Sequence, residues 1–132
     1  MIRYEWVWRP SAKTLKEIAG LYQAAGWWEP GDTPQRICRM VMGSHCFLVA
    51  RSGGRLKGMG RAISDRTNDG YIQDVFVSPA LRGRGLGAEI VRRLALRLRI
   101  DGRVAHEFKT VEVIIGLTSE IVIVIRHLPT PL

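Results

Sequence analysis

Apolar positions change period several times along the chain, and each change marks a structural element. Ile2 to Trp8 alternates as a strand does, and Pro10-Ser11 ends it and supplies a helix cap. Leu15, Ile18, Ala19 and Tyr22 fall at helical spacing, and Gly26 stops that helix. Trp27-Trp28-Glu29-Pro30-Gly31 is expected to be a loop. Thr33-Pro34 then forms a cap and first helical residue for a second helix, whose apolar side includes Ile37 and Val41.

After Gly43 the period becomes extended. Cys46–Ala50 is a short apolar strand, Ser52-Gly53-Gly54 a turn, and Leu56–Ile63 a second strand that pairs with it as a hairpin. Asn68-Asp69-Gly70 turns the chain into Tyr71–Val77, which Ser78-Pro79 terminates because proline cannot donate to a strand ladder. From Leu86 onward the pattern is helical: Leu86, Ile90, Leu94 and Leu98 make one apolar stripe, with Arg92, Arg93, Arg97 and Arg99 largely on the remaining surface. Asp101-Gly102 ends that helix and Val111–Ile115 is another strand. Tyr71–Ile115 thus outlines a strand–helix–strand unit with its two strands parallel. Glu120–His127 fits strand or helix.

A length of 132 residues suits one domain, 1–132. With 46% hydrophobic and 24% charged residues the composition is that of a globular protein. Cys38 and Cys46 have no metal-site spacing and are expected to be ordinary thiols, so no metal is expected. The N-terminus carries no apolar export segment, and the longest apolar run near the C-terminus, Ile121–Ile125, is far short of a bilayer span; the expectation is cytoplasmic. A net charge of +8 favours anionic partners without choosing among nucleic acid, acidic lipid and phosphorylated cofactor.

Placement chooses. Arg82-Gly83-Arg84-Gly85-Leu86-Gly87-Ala88 lies between a strand and a helix, where the first-turn amides lack internal acceptors and the helix dipole favours an anion. Glycines let the backbone approach a phosphate, and Arg82 and Arg84 add charge at the rim. The segment lacks the Gly-Lys-Ser/Thr of a P-loop. A dinucleotide fingerprint would sit on the opening strand and be followed by an acid at the end of the next one, whereas here the following strand ends in Gly116.

These residues resemble the GCN5-related N-acetyltransferase (GNAT) family. Its acyl-coenzyme A signature, Arg or Gln, two residues, Gly, one residue, Gly or Ala, is met by Arg82, Gly85 and Gly87, and Val75-Phe76-Val77-Ser78-Pro79 is similar to the central strand that precedes it. The resemblance implies an α/β (α+β) fold with a mixed, mostly antiparallel central sheet and helices on both faces. It implies acetyl-coenzyme A as cofactor, with Val75, Phe76 and Val77 on the pantetheine arm and the amides of Arg82–Ala88 (Arg82, Gly83, Arg84, Gly85, Leu86, Gly87 and Ala88) on the pyrophosphate. The implied reaction is direct transfer of an acetyl group to the primary amine of a small molecule or peptide.

Asp74 stands mid-strand, where a carboxylate is unfavourable without a purpose. Alternation puts it on the face of Phe76, as a candidate base for the amine or as a carboxylate paired with a basic neighbour. Trp27 and Trp28 are candidate walls of the acceptor site, or core and surface aromatics, and Glu29 a candidate for steering an ammonium. The family's Tyr within a Phe-Tyr…Gly-Phe stretch, placed to protonate the departing thiolate, has no counterpart after Ile115; the alternatives are Thr118, Ser119 or water in its place, or departure of the thiolate as an anion. An uncovered Ile121–Ile125 strand would favour a homodimer through the C-terminal segment. The alternatives are a catalytically weak acyl-coenzyme A-binding regulatory module and, less favoured, a nucleic-acid-binding protein using the arginines of the long helix.

Overall fold

The computed structural model describes residues 1–67 and 69–102, with the main chain of 110–115 and 121–126. Asn68, Thr118, Ser119, His106 and His127 lie outside the described residues. The elements are β1 (Ile2–Trp6), α1 (Ala12–Ala24), α2 (Pro34–Gly43), β2 (Cys46–Ser52), β3 (Arg55–Ser64), β4 (Asp69–Val77), a 3₁₀ turn (Pro79–Leu81), α3 (Leu86–Gly102), β5 (Thr110–Ile115) and β6 (Ile121–Arg126). Local chemistry sets these boundaries. Ser11 Oγ accepts from Thr14 N at 3.2 Å to cap α1, and Thr33 Oγ1 accepts from Arg36 N at 3.3 Å ahead of Pro34 in α2.

The strands form one antiparallel sheet in the order β1-β2-β3-β4-β6-β5. The C-terminal run, open between strand and helix on sequence, is a strand, as its β-branched residues favour. It also sets how the two parallel strands of the Tyr71–Ile115 unit are related. β4 and β5 do point the same way, but β6 lies between them and pairs antiparallel with both. β6 is thus an interior strand, hydrogen-bonded along both edges.

β2 is buried on both faces, so its apolar residues run continuously. Phe47 and Val49 join a cluster with Ile18, Leu21 and Tyr22 of α1, and Ile37 and Val41 of α2. Cys46, Leu48 and Ala50 join Ile90, Leu94 and Leu98 of α3 on the opposite face. The predicted stripe of α3 is therefore its seated side, each fully buried side chain stabilising the fold by about 1.5–3 kcal/mol. The sheet receives this helix through glycines. A Cβ on Gly60 would stand 2.7 Å from Ile90 Cγ2 and 2.9 Å from Leu94 Cδ1, and one on Gly70 would stand 2.9 Å from Leu98 Cδ1. Among the described residues, no helix is long and apolar enough to cross a membrane.

Candidate active site

β4 carries the irregularity on which the site is built. Met59 pairs with Phe76 and Arg61 with Gln73, so Asp74 and Val75 together oppose Gly60 in a bulge. Asp74 adopts φ +57, a left-handed conformation that costs a non-glycine residue about 1–3 kcal/mol unless its surroundings enforce it. The bulge also reverses the faces of the strand. Before it, Ile72 packs with α3; after it, Val75 and Val77 do, while Phe76 joins the α1/α2 side. Simple alternation, which puts Ile72 on the same face as Phe76, fails at this point.

What enforces Asp74 is a buried clamp. Tyr22 Oη donates to Asp74 Oδ2 at 2.5 Å, and Arg61 Nε donates to the same oxygen at 2.6 Å. Asp74 is 5% exposed and Tyr22 3%. A carboxylate this deep requires such charge-assisted bonds. Of the two sequence readings of Asp74, the pairing with a basic neighbour is present, and Asp74 also lines a cavity.

That cavity, about 200 Å³, lies between the start of α2 and β4; Tyr22, Trp27, Asp32, Arg36, Arg61, Gln73 and Asp74 contribute to its wall. Trp27 stands edge-on to Tyr22 and to Phe76, with ring centroids 6.1 Å apart in each case. Trp28 packs against the α1/α2 core but does not line the cavity. Glu29 is exposed outside it, and its main-chain N–H donates to Asp32 Oδ2 at 2.6 Å. That bond, followed by the Arg36 guanidinium, holds the Asp32 carboxyl below its ordinary range against the opposing effect of desolvation. Sequence reading missed Arg61, Asp32 and Arg36. Two signals were available: Asp32 and Arg36 are four apart across a helix start, and Tyr22 carries a hydroxyl on an apolar stripe, which demands a buried partner.

A second cavity, of about 280 Å³, is lined by Val77, Leu81, Arg82, Gly83, Gly85, Leu86, Gly87 and Ala88. Gly83 and Gly85 have φ +80 and +81, which explains why glycine stands at both. The first main-chain bond into α3 runs from Glu89 N–H to Gly85 O at 3.0 Å, so the preceding amides face out of the helix end. Glu89 is engaged by Arg92 and Arg93, which hold its carboxyl down to about 2. Arg84 is exposed and does not line this cavity, whereas Arg82 lies with its guanidinium carbon 5.4 Å from the Phe76 ring centroid.

The two cavities are joined by an open strand edge. β4 pairs with β6 only over Asp69–Ile72, so its outer edge at Val75–Val77 has no strand partner among the described residues. Ser78 N–H donates to Lys57 O on the β3 side, which turns the Val77 carbonyl to the open side, where Arg82 Nε bonds it at 2.9 Å. An extended amide-containing arm can be bonded along that edge, with its anion at the α3 start. The residues present therefore fit coenzyme A.

Known proteins share this fold. Over 85 residues, 58% of this chain, it is 38% identical to glucosamine 6-phosphate N-acetyltransferase 1 of Oryza sativa subsp. japonica, and the match spans 47% of that protein's length. A GNAT-family acetyltransferase from Streptococcus pneumoniae superposes with a TM-score of 0.62 over 83% of this chain and 78% of its own, at 21% identity. An aminoglycoside N-acetyltransferase solved with CoA superposes with a TM-score of 0.62 over 77% and 72%, at 15% identity. The profile of the Acetyltransferase (GNAT) family matches residues 4–109, most of the chain and all of both cavities, and the chain belongs to that family.

Proposed function

We propose that this protein transfers an acetyl group from acetyl-coenzyme A to a primary amine by direct attack in a ternary complex. One observation carries the reading: a strand edge at Val75–Val77, with no strand partner among the described residues, lies between a glycine-lined cavity at a helix start and a second cavity walled by Trp27 and Asp74. Bound acetyl-coenzyme A supplies an acetyl thioester, activated for attack.

The chain's own residues do the rest. The main chain of Val75, Phe76 and Val77 holds the extended arm, with Arg82 released from the Val77 carbonyl. Amides of the Arg82–Ala88 segment hold the pyrophosphate, with Arg82 and Arg84 adding charge at the rim. Backbone N–H near Phe76 or Val77 stabilises the negative charge that develops on the carbonyl oxygen. The amine docks against Trp27, with Trp28 supporting the same loop and Glu29 steering the incoming ammonium from outside. Asp74 takes up the proton that the amine loses on attack, directly or through water, while Tyr22 and Arg61 fix its position; the thioester C–S bond breaks as the amide forms, and the coenzyme A sulfur would leave as a thiolate. Cys38 and Cys46 need no catalytic role.

An acetyl-coenzyme A titration at two salt concentrations, followed by thiol release with a panel of amines, tests this reading. Saturable, salt-weakened binding with amine-dependent thiol release is expected; absence of saturable binding would sink it. Binding without turnover on a broad panel would favour an acyl-coenzyme A-binding regulatory module instead, a reading that the buried ion pair on Asp74 supports.

A further inference from the structure

We infer that the acceptor is a small amine carrying its own anionic group, carboxylate or phosphate, with Arg36 as the residue that selects it. The inference rests on the acetyl-transfer reading and names the acceptor class of that same site. Three features of the cavity carry it.

The first is size. About 200 Å³ is below the 300–1,000 Å³ typical of pockets for drug-sized ligands, so it suits a compact acceptor. The second is charge arrangement. Two ion pairs line the space, Arg61 with Asp74 and Arg36 with Asp32, so the wall is balanced overall but polar at both levels. A singly charged ligand would disturb that balance; a zwitterion preserves it.

The third is a gradient of exposure that orients such a ligand. The Asp74 and Arg61 side chains are 7% and 14% exposed, fixed on adjacent strands beside the open edge of β4. The Arg36 side chain is 56% exposed at the first turn of α2, and its partner Asp32 is separately held by the Glu29 amide. Arg36 can therefore turn its fork to a ligand's anion without leaving Asp32 unsupported. The amine end then lies deep, beside Asp74 and Trp27, and the anionic end at the rim. A polyamine or a basic peptide would set a second positive charge against Arg36 on a chain that already carries +8.

Thiol release from the acetyl-coenzyme A-loaded full chain, with four acceptors of similar length, tests the inference: 3-aminopropylphosphonate, 3-aminopropanoate, 1-aminobutane and 1,4-diaminobutane. The anion-tailed amines are expected to exceed 1-aminobutane in kcat/KM by about tenfold or more, a ratio that Arg36→Gln brings close to one and Arg36→Lys partly restores. Equal or better use of 1-aminobutane or 1,4-diaminobutane overturns the inference. So does an Arg36→Gln variant that loses all four acceptors equally. If acetyl-coenzyme A binds but no amine releases thiol, the transfer reading fails by itself. Calorimetric titration with 3-aminopropylphosphonate then still decides the pocket: saturable heat that Arg36→Gln abolishes supports it, and no saturable heat overturns it.

Discussion

The hydroxyl of Tyr22 in α1 lies 2.5 Å from Oδ2 of Asp74 in β4, and it secures that carboxylate where the strand backbone turns left-handed. Arg61 holds the same oxygen from β3. Helix and both strands thus meet on one atom, and the clamp's strength is measurable.

Tyr22→Phe removes one bond to a buried charged group and is expected to cost about 1.5–3 kcal/mol in urea unfolding. Asp74→Ala should cost more, about 3–5 kcal/mol, because it leaves the Arg61 guanidinium buried without its carboxylate. If Asp74→Ala unfolds at the parent's urea midpoint, the clamp does not hold the bulge.

Asp74→Asn keeps the shape of the side chain while removing its charge. Acetyl-coenzyme A affinity is expected to stay within about twofold of the parent and amine-dependent turnover to fall about 100-fold or more, in the range general-base catalysis supplies. Parent-like turnover would exclude Asp74 as proton acceptor.

At the helix start, Gly85→Glu places bulk and negative charge in the anion cavity and should abolish acetyl-coenzyme A binding in a calorimetric titration. Gly85→Ala adds only a methyl, yet at φ +81 it is expected to destabilise the loop by about 1–2 kcal/mol and weaken binding about tenfold. Undiminished binding by Gly85→Glu would move the anion site elsewhere.

Cysteine chemistry gives a test independent of any ligand. Burial pushes the Cys46 thiol up to about 12, with Arg97 opposing and Asp101 adding to the shift, while Cys38 is half-buried. Iodoacetamide at pH 8 should alkylate Cys38 in the native protein and spare Cys46 until urea is added. In the unfolded chain the Cys46 thiol ionises near its ordinary 9. Its raised native value therefore contributes stability that is complete below about pH 9 and lost as pH rises toward about 12. Cys46→Ser should flatten that alkaline limb of an unfolding-versus-pH curve.

The sequence made legible whatever local chemistry decides. Ser11 and Thr33-Pro34 announce their helices, and Leu86, Ile90, Leu94 and Leu98 announce a seated helix. What lay beyond it was decided by partners distant along the chain. The bulge at Asp74 depends on Tyr22, 52 positions away, and on Arg61, 13 away, so the strand's own alternation does not announce it. The insertion of β6 between β4 and β5 is likewise a pairing choice that neither strand's own residues dictate. Arg36 gains its place only because the loop before α2 brings Asp32 and the Asp74 cavity beside it.

The glycines beneath α3 bind two traits into one. At Gly60 and Gly70 the helix is seated by absent side chains, and the same rigid rod begins at Leu86, beside the amides proposed to hold the pyrophosphate. Any side chain grown on the sheet there would jack up the far end of the rod and tilt its start, so resistance to unfolding and grip on the cofactor are heritable together. Gly60→Ala should lower both, even though residue 60 touches neither cavity.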